Sequence, residues 1–337
     1  MSAQAALDNA TISTVAALTE SVTAEVITPL IDYSIYYFVR LISGPFLTTV
    51  IAVIGVFTNT INIVVYYKMG LQETTNINFF TLAISDWFSA ICLVLIMITD
   101  NLTVKLPSGA PTEEITHLVS FIMYANSVTA AFITTILSLE RCLCIVIPLK
   151  VKKIVTRRRV VVVTSTLVVY ELVFTGLLIG RTGPPYASTN LTKAIYLMCS
   201  YSIVSLICFV IITLTTIFLI IRLNQSLSWR KKTSTAAASG QATSNKEAKA
   251  TRCVILICGL FIFSFFPNLF VIVFAVVFPT FNLWDPYFTR LAYILCYCSF
   301  ICQAISISAN TLVYYTSSTR YKQIFRSLFP CFEEEKQ

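Results

Sequence analysis

Seven stretches of this chain are apolar for about as long as a helix needs to cross a bilayer. They lie at about 46–67, 79–99, 118–147, 160–180, 195–221, 253–278 and 289–315, and roughly 20 residues suffice to span the hydrocarbon core. Nothing else in the sequence restricts the fold as strongly. Backbone N–H and C=O groups in lipid have no water to pair with, so each segment must satisfy its own, and the reading is helix throughout. Composition agrees. Of 337 residues, 56% are hydrophobic and only 12% charged, against about 25% charged in ordinary soluble domains. The expected fold class is an all-α membrane protein, a seven-transmembrane helix bundle with its two ends on opposite sides.

The basic residues collect on one side of these spans. Lys150, Lys152, Lys153, Arg157, Arg158 and Arg159 follow the third span. Arg222, Arg230, Lys231, Lys232, Lys246, Lys249 and Arg252 follow the fifth, and Arg320, Lys322 and Arg326 follow the seventh. That side is expected to be cytoplasmic. The other side carries Asp8, Glu20, Glu25, Asp32, Asp100, Glu113, Glu114 and Asp285. The net charge of +8 therefore reads as membrane asymmetry. It is no footprint for nucleic acid, because the basic runs hug the membrane ends. The expected location is the plasma membrane, multi-pass, with the N-terminus outside and the C-terminus in the cytoplasm.

The organisation reads as one domain. Residues 1–40 form an outer tail, residues 41–316 the membrane bundle, and residues 317–337 a cytoplasmic tail; the longest inner loop is 223–252. Residues 1–30 lack a basic start and an unbroken apolar core, so the first span is expected to act as the targeting signal. After the seventh span, Tyr321, Ile324, Phe325, Leu328 and Phe329 recur at helical spacing, which predicts a short amphipathic helix on the membrane surface. Cys331 just beyond it is a candidate for palmitoylation. Asn9, Asn101 and Asn190 head sequons on the expected outer side and are glycosylation candidates. Asn224 heads another on the inner side, where it is not expected to be used. The 11 cysteines sit mostly within spans, and no disulfide framework is read from them.

Polar residues inside the apolar runs say more about function. A charge facing lipid is costly, so intramembrane ionisable groups are rare and mark working sites. The first span has Asn59 within Gly55-Val-Phe-Thr-Asn59, and the second has Leu82-Ala-Ile-Ser-Asp86. The third ends Glu140-Arg141-Cys142, with Pro148-Leu149 following. The sixth has Phe261-Ile-Phe-Ser-Phe265-Phe-Pro267, and the seventh has Asn310-Thr-Leu-Val-Tyr314. Any one of these is weak alone. Five in order, each in the right span, resemble the rhodopsin-like (class A) G-protein-coupled receptors over nearly all of residues 46–330. The texture of Leu139–Lys153, Leu223–Arg230 and Asn310–Tyr315 looks like the molluscan receptors of this class labelled chemosensory.

The resemblance implies specific roles. Arg141 is held by Glu140 at rest and, on activation, turns to meet a heterotrimeric G protein; Pro148 and Tyr314 belong to the same switch. A juxtamembrane Arg that merely snorkels is the alternative. Asp86, Asn59, Ser306 and Asn310 line a water and sodium pocket. Ala130 stands where the family carries a Ser ligand, so a polar water network is expected and no metal or cofactor is assigned. Pro267 kinks the sixth span by removing a backbone hydrogen bond, with Phe261 and Phe265 packed beside it. Several positions depart from the pattern. Thr311 replaces the seventh-span proline, the fourth span has no Trp and the fifth no Pro. Thr116 replaces the third-span cysteine, so the usual outer disulfide is not expected.

About 18 residues above Arg141, or roughly 27 Å at 1.5 Å per residue, stands Met123. An amine receptor needs an acid there, and an opsin needs a seventh-span lysine; the chain has neither. The ligand-pocket candidates are Met123, Tyr124, Ser127, Asn268, Phe300 and Gln303, with Glu171 of the fourth span as the one odd charge. The expected function is binding of an extracellular small-molecule or peptide ligand and activation of a G protein, with membrane lipid as surroundings. A neuropeptide receptor of the same fold is the nearest alternative. A small-molecule transporter is the alternative of another class, against which stands the absence of repeated halves. An intramembrane enzyme is a third option, but no His-Glu-x-x-His site is possible with His117 the single histidine, and no enzyme is expected.

Overall fold

A computed structural model describes residues 28–105, 112–182, 191–232, 238–278 and 286–329. The described residues are helical almost throughout. The first span runs Tyr33–Met69, the second is the helix Thr74–Lys105 and the third Thr112–Val146. Next come a short helix Pro148–Ile154, the helix Arg157–Thr182, and then Leu191–Lys232, Ala238–Val277 and Thr289–Ser317. Six of these are long and apolar enough to cross a membrane among the described residues. Arg157–Thr182 takes the fourth place, packed against the second and third spans. The second span packs on the first and third, the third on the fifth, and the seventh on the sixth and first. The expected seven-helix bundle is what forms.

The helices are longer than the apolar runs that announced them. The first starts at Tyr33, where the Asp32 carboxylate caps it by accepting from the Ser34 N–H at 2.7 Å. The fifth and sixth extend to Lys232 and from Ala238, so most of 223–252, expected as the longest inner loop, is helix. Hydropathy registers only the part in lipid, whereas the i→i−4 ladder continues for as long as the residues tolerate it. Asn101 lies in the end of the second-span helix, and Asn224 is exposed on the fifth. Asn9, Asn190 and Cys331 lie outside the described residues.

Two glycines shape the first span. A Cβ on Gly55 would meet the Ser308 Oγ at 3.0 Å and the Ala90 Cβ at 3.4 Å, so this position lets the first, second and seventh spans approach closely. Gly70 ends the span at φ +85°, a conformation open to glycine and strained for other residues. Near the start, Ile42–Thr48 form a wide π-helical turn around Pro45. Proline has no N–H to give, and the Thr48 hydroxyl donates to the Ser43 carbonyl within that turn.

The predicted amphipathic helix is present as Thr319–Leu328, capped by Ser318. It is tied down on both sides. Arg320 donates to the Met69 carbonyl at 2.7 Å, and Lys322 lies over the Tyr315 ring. Tyr321 is fully buried in a ring cluster with Tyr66, Phe79 and Tyr314. Its hydroxyl donates to Asn62 Oδ1 at 2.6 Å. Losing a buried hydrogen bond of this kind costs about 1 kcal/mol. Tyr321→Phe is therefore expected to lower the thermal midpoint of the solubilised protein by about 2–4 °C. An unchanged midpoint would show that the hydroxyl contributes nothing to holding this helix.

Candidate functional site

At the basic end, the third span places Glu140 and Arg141 against the start of the second. Glu140 is buried, and its carboxylate is surrounded by donors. Oε1 accepts from the Thr74 hydroxyl at 2.7 Å, from the Thr75 hydroxyl at 2.9 Å and from Arg141 Nη2 at 3.2 Å; Oε2 accepts from Asn78 Nδ2 at 3.0 Å. Burying a carboxylate is costly unless it is paired and hydrogen-bonded, and here both oxygens have donors. Arg141 also donates to the Thr75 hydroxyl, so Thr75 links the two charges. Arg141 Nε has no partner among the described residues. Beside it the helix ends at Val146, and Pro148 opens the short helix at its first position, where a missing N–H costs nothing. Leu149 next to it is 92% exposed.

One level further into the bundle, Asn310 Nδ2 donates to Asp86 Oδ2 at 2.7 Å, both residues being buried. Asn59 is also buried but turns elsewhere, donating to the carbonyls of Gly55 at 2.9 Å and Ile307 at 3.2 Å. Asn62 donates to Asn59 Oδ1, and Thr311 donates to Asn62 Oδ1 at 3.0 Å. Ser306, expected in the same network, is half-buried and bonded to none of these groups. Asp86 and Asn310 are thus brought together, with Asn59 one link away through the Ile307 backbone. Tyr314 is buried against Tyr66 and Phe79, its hydroxyl unmet among the described residues.

On the sixth span, Phe261 and Phe265 stack with centroids 6.0 Å apart and planes 8° from parallel, and Phe209 of the fifth packs on Phe265 at 5.2 Å. Pro267 follows within the same helix. Towards the other end, Gln303 Nε2 donates to the Ser127 hydroxyl at 2.9 Å, and Met123 and Phe300 share one apolar cluster. Four of the pocket candidates are therefore neighbours. Tyr124 lies near Cys296. Asn268 is half-buried on the sixth span and makes no hydrogen bond among the described residues. Glu171 is buried in the fourth span with Oε2 unmet among the described residues, and among them no hydrogen bond joins it to the other candidates.

A family model described as 7 transmembrane receptor (rhodopsin family) matches residues 59–305. The chain belongs to this family. Comparison with curated proteins returned no match. The family assignment makes the chain a multi-pass membrane receptor, and the matched region contains Asn59, Asp86, Arg141 and Pro267.

Two polar clusters of this receptor escaped the sequence reading. Asn126 of the third span donates to the Ser85 carbonyl at 2.8 Å and the Ser89 hydroxyl at 2.6 Å, and accepts from the Ser85 hydroxyl at 3.1 Å. The signal was present, since Ser85 and Ser89 stand one helical turn apart beside Asp86. At the end opposite Arg141, Arg40 of the first span grips both oxygens of Asp100 at 2.9 and 3.0 Å, and Tyr297 of the seventh donates to Asp100 at 2.9 Å. This clasp joins three spans at the end where a disulfide was not expected. Cys92, Cys208, Cys296 and Cys302 form no disulfide among the described residues.

Proposed function

We propose that the receptor binds an extracellular ligand near Met123, Ser127, Phe300 and Gln303 and passes the signal to a heterotrimeric G protein at the Arg141 end. The observation that supports this best is the arrangement of Glu140 and Arg141. An Arg that only snorkelled would point its charge to water, whereas here it is turned onto a buried carboxylate with three further donors. Such an arrangement holds a charge in reserve. A ligand that favours the alternative arrangement shifts the population towards it. The exposed Leu149 beside the switch supplies an apolar contact for a protein partner.

In this reading the basic end faces the cytoplasm and the receptor resides in the plasma membrane with its N-terminus outside, where Asn9, Asn101 and Asn190 are open to glycosylation. The ligand is a small molecule of chemosensory type. Ser127 and Gln303 offer it hydrogen bonds, Met123 and Phe300 apolar contact, and no acid stands among these four to demand a cation. The test is nucleotide exchange on G proteins in membranes bearing the receptor, screened against soluble odorants and, in parallel, basic peptides. Stimulation by a small compound is the expected result. Stimulation by peptides alone would move the ligand class to neuropeptides, and ligand-dependent uptake of solute without exchange would overturn the coupling.

A further inference from the structure

On the reading that Met123 and Phe300 belong to the ligand pocket, we propose that the Arg40–Asp100–Tyr297 clasp is the gate through which a ligand reaches them. Met123 is 1% exposed, and Met97 of the second span, in the same apolar cluster, is 2% exposed. A ligand coming from outside therefore reaches Met123 only after neighbouring segments part. The cluster also takes in Ile96 of the second span and Phe300 of the seventh. Asp100 stands one helical turn beyond Ile96 and Met97, and Tyr297 one turn beyond Phe300. Their hydrogen bond at 2.9 Å thus closes the cluster at the end opposite Arg141.

The outer part of the first span has the construction of a movable arm. None of the residues of its helix Tyr33–Leu41 is buried, so apolar packing contributes little to holding it. The π-helical turn Ile42–Thr48 separates it from the rest of the span, and helices bend where the i→i−4 ladder is interrupted in this way. That turn packs on both the second and the seventh spans. Gly44 within it leaves just enough room, since a Cβ there would meet the Tyr297 ring at 3.2 Å and Met97 Sδ at 3.5 Å. At its start the arm is fastened to the seventh-span side. The Leu30 N–H donates to the Tyr287 carbonyl at 2.9 Å, Arg290 donates to the Ile31 carbonyl at 2.8 Å, and the Tyr36 and Tyr293 rings lie 6.3 Å apart. The arm and the outer end of the seventh span therefore form one unit, and Asp100 ties the second span to both of its parts.

The chemistry of the tie suits a gate. The Arg40 and Asp100 side chains are 22% and 26% exposed, so water can take over their hydrogen bonds when they part and no buried charge is stranded. The pair at Glu140 differs, because its carboxylate is buried and an opening there without replacement donors is costly. The clasp is thus a polar latch, within reach of water, over an apolar interior. Opening it separates the second span from the arm and the seventh span, directly above Met97, Met123 and Phe300.

The experiment uses the full-length receptor in intact cells and a membrane-impermeant methanethiosulfonate reagent, with the labelled cysteines identified by mass spectrometry. Cys92 is buried in the cluster beneath the clasp and reports its opening. Cys258 is buried in the separate cluster that includes Leu137 and Ile212 and reports general loosening. Asp100→Asn is expected to raise the rate of Cys92 labelling about tenfold and to leave Cys258 unlabelled. The double variant Arg40→Gln/Asp100→Asn should label Cys92 no faster than Asp100→Asn, because both changes open one latch. Tyr297→Phe leaves the Arg40 bonds in place and should raise the rate by less. Unchanged Cys92 labelling in Asp100→Asn, rates that multiply in the double variant, or labelling of Cys92 and Cys258 in step would each overturn the proposal. The labelling needs neither ligand nor G protein, so its failure removes the gate alone. A receptor that opens by this measure and shows no stimulated nucleotide exchange would instead remove the reading of the pocket.

Discussion

Arg141→Ala is expected to lower ligand-stimulated nucleotide exchange by about a hundredfold or more while leaving the receptor at the cell surface. The first half of this expectation follows from the proposed contact with the G protein. Truncating one member of a hydrogen-bonded charge pair at an interface costs about 2–5 kcal/mol. The second half follows from the geometry around Glu140. Removing Arg141 leaves the buried carboxylate with Thr74, Thr75 and Asn78 as donors, so no charge is stranded and the fold is not the first thing to fail. Exchange and surface labelling are measured on the same membranes. Equal exchange in both forms would remove Arg141 from coupling, and loss of surface protein would make its role structural.

Glu140→Gln is expected to act in the opposite sense, raising exchange in the absence of ligand by about tenfold. The substitution keeps the size of the side chain and one acceptor oxygen. It replaces the other oxygen by an amide donor, which cannot accept from both the Thr hydroxyls and Asn78 as the carboxylate does. It also removes the charge that Arg141 faces at 3.2 Å. A hydrogen bond to a charged group contributes about 1.5–3 kcal/mol, and a loss at the low end of that range shifts a two-state population about tenfold. Basal exchange equal to the parent receptor would show that Glu140 does not restrain Arg141. Thr74→Ala serves as the control, since Thr75 and Asn78 remain bonded to the carboxylate, and little change is expected from it.

The two variants test a pair of residues that are adjacent in sequence, and that adjacency is why the pair could be read there. Arg141 and Glu140 are unusual against their own neighbours, whatever they touch. The same holds for Asp86 and Asn310, each a polar group in an apolar run, although their 2.7 Å contact joins residues 224 apart. The partners of Glu140 are a different matter. Thr74, Thr75 and Asn78 are ordinary residues at the start of a helix, and only the packing of the second span on the third brings them to the carboxylate. Thr311 was expected to leave the seventh span without its usual bend. In place it donates to Asn62, which also holds Tyr321, so the departure from the motif has a bonding role of its own.

The seven-helix class, the ends that carry positive charge and the polar residues proposed as the switch were all legible in the sequence alone. Lipid imposes the reason: a segment without water must be helical, and a polar residue within it must have a use. The Arg40–Asp100–Tyr297 clasp, the Asn126 hub and the absence of Ser306 from its expected hydrogen-bond network depend on something else. They follow from how far each helix is rotated about its axis and slid along its neighbour. Those two quantities come from side-chain packing summed along whole interfaces, at positions as close as Gly55 against Ser308, and no single residue or local pattern encodes them.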